Sequence, residues 1–260
     1  MAIITLTSDC GLKDHYIGAV KGALLTLLPD VTIIDITHDI PAFDIEPASY
    51  IIRNSYNNFP KGTIHIIGIN TEASIEAPHI VMFYNGHYFI GADNGIFSLI
   101  VEGKPEKIIE LNISQDSDYF TFSMRDVFVK AAYLIAKGEK LESLGFEKNS
   151  LNEMIQLKPI EEQNAIKGNV IYIDRYENVI TNISEELFRK VGKKRKFVIS
   201  FRGGYEIDTI NTAYKDAEAG EKLALFGSSG YLEIAINMGN ASSLINLKLK
   251  DSVRIDFDEG

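Results

Sequence analysis

The chain has a single cysteine, Cys10, among its 260 residues. That excludes an intramolecular disulfide and a cysteine-based zinc site. No segment reaches the ~18 consecutive apolar residues of a membrane-spanning helix. The opening residues lack the basic stretch and small-residue cleavage pattern of a secretory leader. The cytoplasm is therefore the expected compartment, with no membrane partner. An excess of basic residues is also missing: 26 Lys and Arg against 36 Asp and Glu leave a net charge of -10. That balance argues against a nucleic-acid surface. The common signatures of cofactor and nucleophile chemistry are absent, with no G-x-G-x-x-G, Walker A, H-E-x-x-H or G-x-S-x-G run. Gly11, Gly18 and Gly22 are too far apart for a dinucleotide fingerprint. The five histidines, His15, His38, His65, His79 and His87, form no i, i+4 pair, and no metal is expected. There is no solenoid period and no low-complexity tract.

What is present is an ordinary globular composition, 45% apolar and 24% charged, enough to bury a real core. The first half alternates strand and helix. Apolar runs predict strands over 3–7, 32–36, 63–69, 80–83 and 88–91, and helical spacing predicts helices over 15–28, 45–54 and 125–137. Fully apolar strands in this order imply a mainly parallel sheet covered on both faces. Asn85-Gly86 is a strong hairpin turn between two of them. The polar, proline-containing stretch 158–167 reads as a linker. After it the pattern becomes short strands, 168–174, 196–201, 222–226, 231–236 and 252–257, with one helix near 184–191. The expected architecture is an α/β domain over 1–157 and a smaller, β-barrel-like domain over 168–260.

The most informative segment is the first strand running into Ser8-Asp9-Cys10-Gly11-Leu12-Lys13-Asp14. Polar groups at the carboxyl end of a buried strand are where α/β proteins hold ligands. The bland alternative is that Asp9 or Asp14 caps the following helix. Cys10 has Lys13 and His15 nearby to activate a thiol, but a free cysteine is more often a small filler. Asp35-Ile36-Thr37-His38-Asp39 repeats the theme of a strand ending in polar residues. Further along, Asp174-Arg175-Tyr176-Glu177-Asn178 places an aromatic ring beside an amide, a combination that suits a purine, though a plain turn has the same composition. Gly227-Ser228-Ser229-Gly230-Tyr231-Leu232-Glu233 joins hydroxyls to a carboxylate and reads either as a grip on a polar ligand or as a hairpin.

Jointly, these segments resemble the S-adenosylmethionine hydroxide adenosyltransferases, relatives of fluorinase and chlorinase. The resemblance rests on Thr7-Ser8-Asp9-Cys10-Gly11-Leu12-Lys13-Asp14, Asp35-Ile36-Thr37-His38 with Pro41-Ala42-Phe43-Asp44, Phe59-Pro60-Lys61-Gly62-Thr63, and Asp93-Asn94-Gly95. It continues through Arg125-Asp126-Val127-Phe128, Asp174-Arg175-Tyr176 with Asn178 and Thr181-Asn182, and Ser228-Ser229-Gly230-Tyr231-Leu232-Glu233. It implies a two-domain homotrimer with sites between subunits, and S-adenosylmethionine as substrate or ligand with no cofactor. It further implies that Asp9 binds the ribose hydroxyls and Phe43 packs near the sugar. Tyr176 and Tyr214 would sandwich the adenine and Asn178 would read its edge. Asp174 and Ser228 would hold the methionine amino and carboxylate groups, with Tyr231 and Glu233 as weaker carry-overs.

One part of the family pattern is missing. Hydroxide-using members carry an Asp-Arg-His set that orients water; the matching positions here are Asn70, Ala77 and Ser123. Asn70 and Ser123 can hydrogen-bond a water but cannot act as a base near neutral pH. Glu72, Glu76 and His79 lie close in sequence, and Glu72 is the first candidate substitute. The stretch 77–85 leaves no room for the long insertion of halide-using members, so hydrolysis is favoured over halogenation. Two readings follow: an enzyme that hydrolyses S-adenosylmethionine, which is preferred, and a non-catalytic relative that binds an adenosyl ligand as a sensor or store.

Overall fold

The structure is a computed structural model that describes residues 2–115 and 120–259. It divides into two compact units, Met1–Met154 and Ile155–Gly260. The first unit runs β1 (Ile3–Ser8), α1 (Tyr16–Leu27), β2 (Thr32–Thr37), α2 (Ile45–Ser55), β3 (Ile64–Gly68), β4 (His79–Tyr84), β5 (His87–Ala92), α3 (Ile96–Ile100), β6 (Lys107–Leu111), α4 (Val129–Ala136) and β7 (Gly145–Glu147). Its sheet has the order β2-β1-β3-β5-β4-β6-β7. The ladders β2-β1, β1-β3 and β3-β5 are parallel, and those beyond β5 are antiparallel. The change of sense follows from Asn85-Gly86. Both residues sit at positive φ, 51° and 80°, as a two-residue hairpin requires, so β4 must run against β5.

Alternation along the strands sends side chains to two faces, and both faces are apolar. Ile4, Leu6, Ile64, Ile66, Val81, Ile90 and Ile109 meet α1 and α4 on one side. Ile67, Ile69, Ile80, Met82, Phe89 and Ile108 meet α2 and α3 on the other. Asp44 caps α2 by accepting from the Glu46 amide. No side chain caps α1, which begins after His15, so neither Asp9 nor Asp14 has the capping role that composition alone would allow. The helix expected over 125–137 starts instead as a π-helical turn, Met124–Phe128, that runs into α4.

The α2/α3 face also buries a polar cluster. Thr5 Oγ1 lies 2.7 Å from His65 Nδ1, and His65 Nε2 lies 3.2 Å from His87 Nδ1. Burial, with a smaller contribution from His87, lowers the His65 pKa to about 3. The unfolded chain therefore binds this proton below about pH 6.5 while the native chain does not, so native stability falls as pH drops from 6.5 toward 3. The slope from this group is at most about 1.4 kcal/mol per pH unit. Urea titrations of wild type and His65→Gln between pH 7 and 4.5 check this. The variant is expected to lose about one proton's worth of slope, and identical slopes refute the assignment.

The second unit runs β8 (Ile160–Glu161), β9 (Ala165–Ile173), β10 (Val179–Ser184), α5 (Glu185–Gly192), β11 (Phe197–Phe201), β12 (Tyr205–Ile207), β13 (Ile210–Asn211), β14 (Lys222–Phe226), β15 (Tyr231–Ile236), α6 (Ala241–Ile245) and β16 (Ser252–Phe257). The stretch that reads as a linker thus contains β8 and the start of β9, because Ala165 and Ile166 are buried and pair with β16. The sheet order is β12-β11-β16-β9-β10-β15-β14-β13. β9 serves both halves: residues 165–169 pair with β16, while Val170, Tyr172 and Ile173 pair with β10. At its bend, a Cβ on Gly168 would come within 2.4 Å of Ile183 Cγ1, so only glycine fits. β12 also touches β14, which brings the two ends of the path together and curls the sheet toward a barrel.

Candidate functional site

In the first unit β1 lies between β2 and β3: the chain leaves β1 through α1 to β2 on one side and returns through α2, on the opposite face, to β3 on the other. That is the switch point at which open α/β sheets leave a crevice beyond the strand carboxyl ends. Asp9 follows β1 and Asn70 follows β3, and the two strand ends are tied by the Asp9 amide donating to the Gly68 carbonyl at 3.3 Å. Asp9 Oδ2 accepts the Phe43 amide at 2.9 Å. Phe43 sits at φ 65°, an unusual backbone for a bulky side chain, and its ring is 73% exposed. Strain of this kind persists where surroundings enforce it, and it clusters at ligand sites. The local arrangement therefore joins Asp9 and Phe43.

Asn70 is exposed with φ 45°, and the Asn94 amide donates to the carbonyls of Ile69 and Asn70 at 3.0 and 3.3 Å. Ser123 is buried immediately before the π-helical turn, whose Met124 packs against Gly68. π turns recur at functional positions because they displace a helix start. Of the substitutes suggested by sequence, Glu72 and Glu76 are exposed. His79 is half-buried, with Nε2 2.8 Å from the Thr71 carbonyl and a pKa lowered by burial. It fastens the 71–79 loop. The Cys10 thiol has its pKa pushed up by burial and then by the Asp9 charge, the opposite of what a nucleophile needs.

The second unit has a cleft of about 480 Å³ lined by the turn residues Asp174, Arg175, Tyr176 and Asn178, by Tyr214 and by residues 236–240. Its framework is the turn after β9. Asp174 Oδ1 accepts the amides of Tyr176 and Asn178 at 2.9 and 2.8 Å, and Oδ2 accepts Asn178 Nδ2 at 3.1 Å. Glu177, at φ 61°, completes the turn, and its carboxylate accepts from Asn240 Nδ2 and the Ser243 amide. The turn thus presents Tyr176, 75% exposed, beside a buried Asn178 amide. Tyr214 stands on a single helical turn, Tyr214–Asp216, and donates its hydroxyl to Glu233 Oε1 at 2.6 Å. Burial raises the Glu233 pKa and the Asp174 charge adds to that, against the stabilising Tyr214 hydrogen bond. Burial and then the Glu233 contact push the Tyr214 phenol well up. The phenol therefore stays protonated, a fixed donor that holds its own ring in place.

Exposed aromatic faces beside an amide in a cleft of this size suit a planar heterocycle. Asp174, Tyr176, Asn178, Tyr214 and Glu233 are thus brought together. Ser228 is exposed at the tip of the β14–β15 hairpin, and Tyr231 begins β15 beside Ser184; neither lines this cleft. The hairpin reading of 227–230 is correct for the backbone, with the Gly227 amide donating to the Tyr231 carbonyl. The remaining lining residues, Asn237, Met238, Gly239 and Asn240, are not among the candidates that the sequence offers. A polar, glycine-containing cluster directly after an apolar strand was the available signal.

The comparisons with known proteins agree across both units. Residues 4–145 match the SAM hydroxide adenosyltransferase N-terminal domain and residues 168–254 match its C-terminal domain. An (R)-S-adenosyl-L-methionine hydrolase of Methanocaldococcus jannaschii is 33% identical, covering 98% of this chain and 96% of that protein. A protein of the same name from Thermus thermophilus is 26% identical over 98% of this chain and its own full length. A fluorinase from Nocardia brasiliensis is 25% identical, with 97% and 96% covered. The crystal structure of an uncharacterised conserved protein from Thermotoga maritima is similar with a TM-score of 0.89 at 30% identity, covering 98% of this chain and 99% of that one. With both domain descriptions matched in order and a relative one-third identical along nearly its whole length, this chain belongs to the SAM hydroxide adenosyltransferase family.

Proposed function

We propose that this protein hydrolyses S-adenosyl-L-methionine to adenosine and L-methionine. A water oxygen attacks ribose C5′ in line with the C5′–S bond. That bond breaks, its electron pair stays on sulfur as the neutral thioether of methionine, and the water loses one proton to solvent. A sulfonium is already an excellent leaving group, so the step needs neither a general acid nor a cofactor. The protein's contribution is alignment and desolvation of the nucleophile. The observation that carries this reading is the cleft that gathers Asp174, Tyr176, Asn178 and Tyr214, a recess with room for a purine and a hydrogen-bonding amide among its lining. The strand-end pair Asp9 and Phe43 supplies groups of the kind a ribose takes.

The ribose-binding chemistry lies in one unit and the base-binding chemistry in the other. As the family resemblance implies, we also propose a homotrimer in which the N-terminal half of one copy and the C-terminal half of the next serve one ligand. The proposed substrate is an intracellular metabolite, so the proposed compartment is the cytoplasm.

The test is incubation of pure, EDTA-treated protein with each sulfonium epimer of S-adenosyl-L-methionine, with adenosine and methionine measured by chromatography. Equimolar products are expected, undiminished by EDTA, with the R epimer consumed faster, as the names of the relatives suggest. Sedimentation of the same stock is expected to report a trimer. Tight binding with no adenosine after long incubation would leave the non-catalytic adenosyl binder as the correct reading.

A further inference from the structure

We infer that His38, linked to Ser8 and Asp35, is a positioning residue that sets the direction of the Asp9 carboxylate and through it the selectivity for ribose hydroxyls. This rests on the reading of Asp9 as the ribose-binding group. His38 follows β2 and is buried beside the end of β1. Its Nδ1 lies 2.7 Å from Ser8 Oγ. Ser8 Oγ also accepts the Cys10 amide at 3.4 Å, so its own proton is free to go to Nδ1. That assigns the ring proton to Nε2. Nε2 is buried, has no aligned hydrogen bond among the described residues, and lies 3.1 Å from Asp35 Oδ1. The other carboxylate oxygen, Asp35 Oδ2, accepts Lys21 Nζ at 2.5 Å.

The backbone is shaped to make this contact. In a regular strand, residues three apart point to opposite faces. Here Leu6 pairs with Asp35 while Thr7 pairs with Thr37, so β2 carries one extra residue against β1. Such bulges are uncommon in parallel ladders and re-aim side chains next to functional sites. The added residue lets Asp35 and His38 meet. The same histidine also acts through its backbone, because the Gly11 amide donates to the His38 carbonyl at 3.0 Å. One residue thus holds the loop Ser8 to Gly11 at both ends. Asp9 lies between these ends, its amide on Gly68 and its Oδ2 on the Phe43 amide. Losing the imidazole frees Ser8 and with it the peptide that orients Asp9, while the adenine-binding cleft, built in the other unit, stays untouched.

The readout is therefore a ratio, the affinity for adenosine over that for 2′,3′-dideoxyadenosine, measured by calorimetry. His38→Ala and Ser8→Ala are each expected to lower this ratio roughly tenfold, as expected for a weakened hydrogen bond to a charged group, with dideoxyadenosine affinity unchanged. Ser8→Ala is the milder change and keeps the test available if the histidine variant folds poorly. His38→Asn, whose amide oxygen can take the Ser8 proton in place of Nδ1, is expected to restore most of the ratio, which a merely structural role would not predict. Asp9→Ala is the reference and should abolish the preference. If Asp9→Ala abolishes it while both His38→Ala and Ser8→Ala retain the wild-type ratio, the positioning role is wrong and the ribose reading stands. If Asp9→Ala also leaves the ratio intact, the ribose reading fails and the inference falls with it.

Discussion

Restoring ionisable groups at positions 70, 77 and 123 is expected to speed adenosine formation by about 10²–10⁴-fold, the usual range for adding a positioned general base. The variant is Asn70→Asp, Ala77→Arg and Ser123→His combined with Met124→Gly. Asn70 already occupies the left-handed region, φ 45°, where Asn and Asp are the tolerated side chains, so the first change keeps the backbone. The Asn94 amide holds the carbonyls on either side of it regardless of the side chain. Ser123 is the harder position, buried ahead of the π-helical turn. An imidazole there overpacks the site at a typical cost of about 1–3 kcal/mol. Met124, next in sequence, has its sulfur where a Cβ on Gly68 would stand, and shortening it to glycine is the change included to offset the added bulk. Adenosine release under single-turnover conditions measures the effect. A variant that melts normally yet reacts at the wild-type rate would mean that these three positions do not surround the attacking water.

That expectation separates what was legible in the sequence from what was not. The strands near 3–7 and 63–69 could be read directly because a strand buried on both faces is mainly apolar, and the edge strand near 32–36 through its β-branched run Thr32-Ile33-Ile34. The Asn85-Gly86 turn was legible because few other pairs accept two positive φ angles. β6 was missed: Lys107 and Glu110 interrupt its short apolar core. α3, only Ile96–Ile100, is too short to show a period. β10 is absent from the strands that the sequence predicts, its polar Thr181 and Asn182 interrupting the apolar pattern. In the structure they are buried and bonded, Thr181 Oγ1 to the Leu232 carbonyl and Asn182 Nδ2 to the Leu157 carbonyl. Polar residues satisfied by distant partners imitate loops.

The site divides in the same way. Asp9 was legible as a polar residue at a strand end, Asn70 only through the family resemblance, and the Asp174 to Asn178 turn through its side-chain types. His38 was singled out only as a histidine at a strand end. Its contact with Ser8 depends on the register of two strands and a bulge, which no local spacing encodes. The left-handed backbone at Phe43 is likewise imposed by tertiary contacts, among them the Asp9 carboxylate, and not by local propensity.

The largest loss of binding is expected at Asp174. Its carboxylate takes the Tyr176 amide, the Asn178 amide and the Asn178 side chain, so one group fixes both the ring proposed to stack on the base and the amide proposed to read its edge. Hydrogen bonds to a charged acceptor contribute about 1.5–3 kcal/mol each, and three on one turn are coupled and do not simply add. Asp174→Ala is therefore expected to weaken adenosine binding by about 2–4 kcal/mol, roughly 30- to 1000-fold in Kd. Tyr176→Ala, which removes a ring but leaves the turn, should lose only the ~1–3 kcal/mol of one stacked base. Asp174→Asn sharpens the argument. An amide oxygen can still accept the two backbone amides at the Oδ1 position, while its NH2 replaces the acceptor that Asn178 Nδ2 uses, so adenosine affinity should fall by less than in Asp174→Ala. The charge proposed to meet the methionine amino group is gone, so S-adenosylmethionine should bind more weakly than adenosine loses. Calorimetry with both ligands on both variants decides the matter. If Asp174→Ala binds adenosine as wild type does, the turn does not hold the base. If Asp174→Asn weakens both ligands equally, the carboxylate serves the turn alone and takes no part in recognising the amino acid.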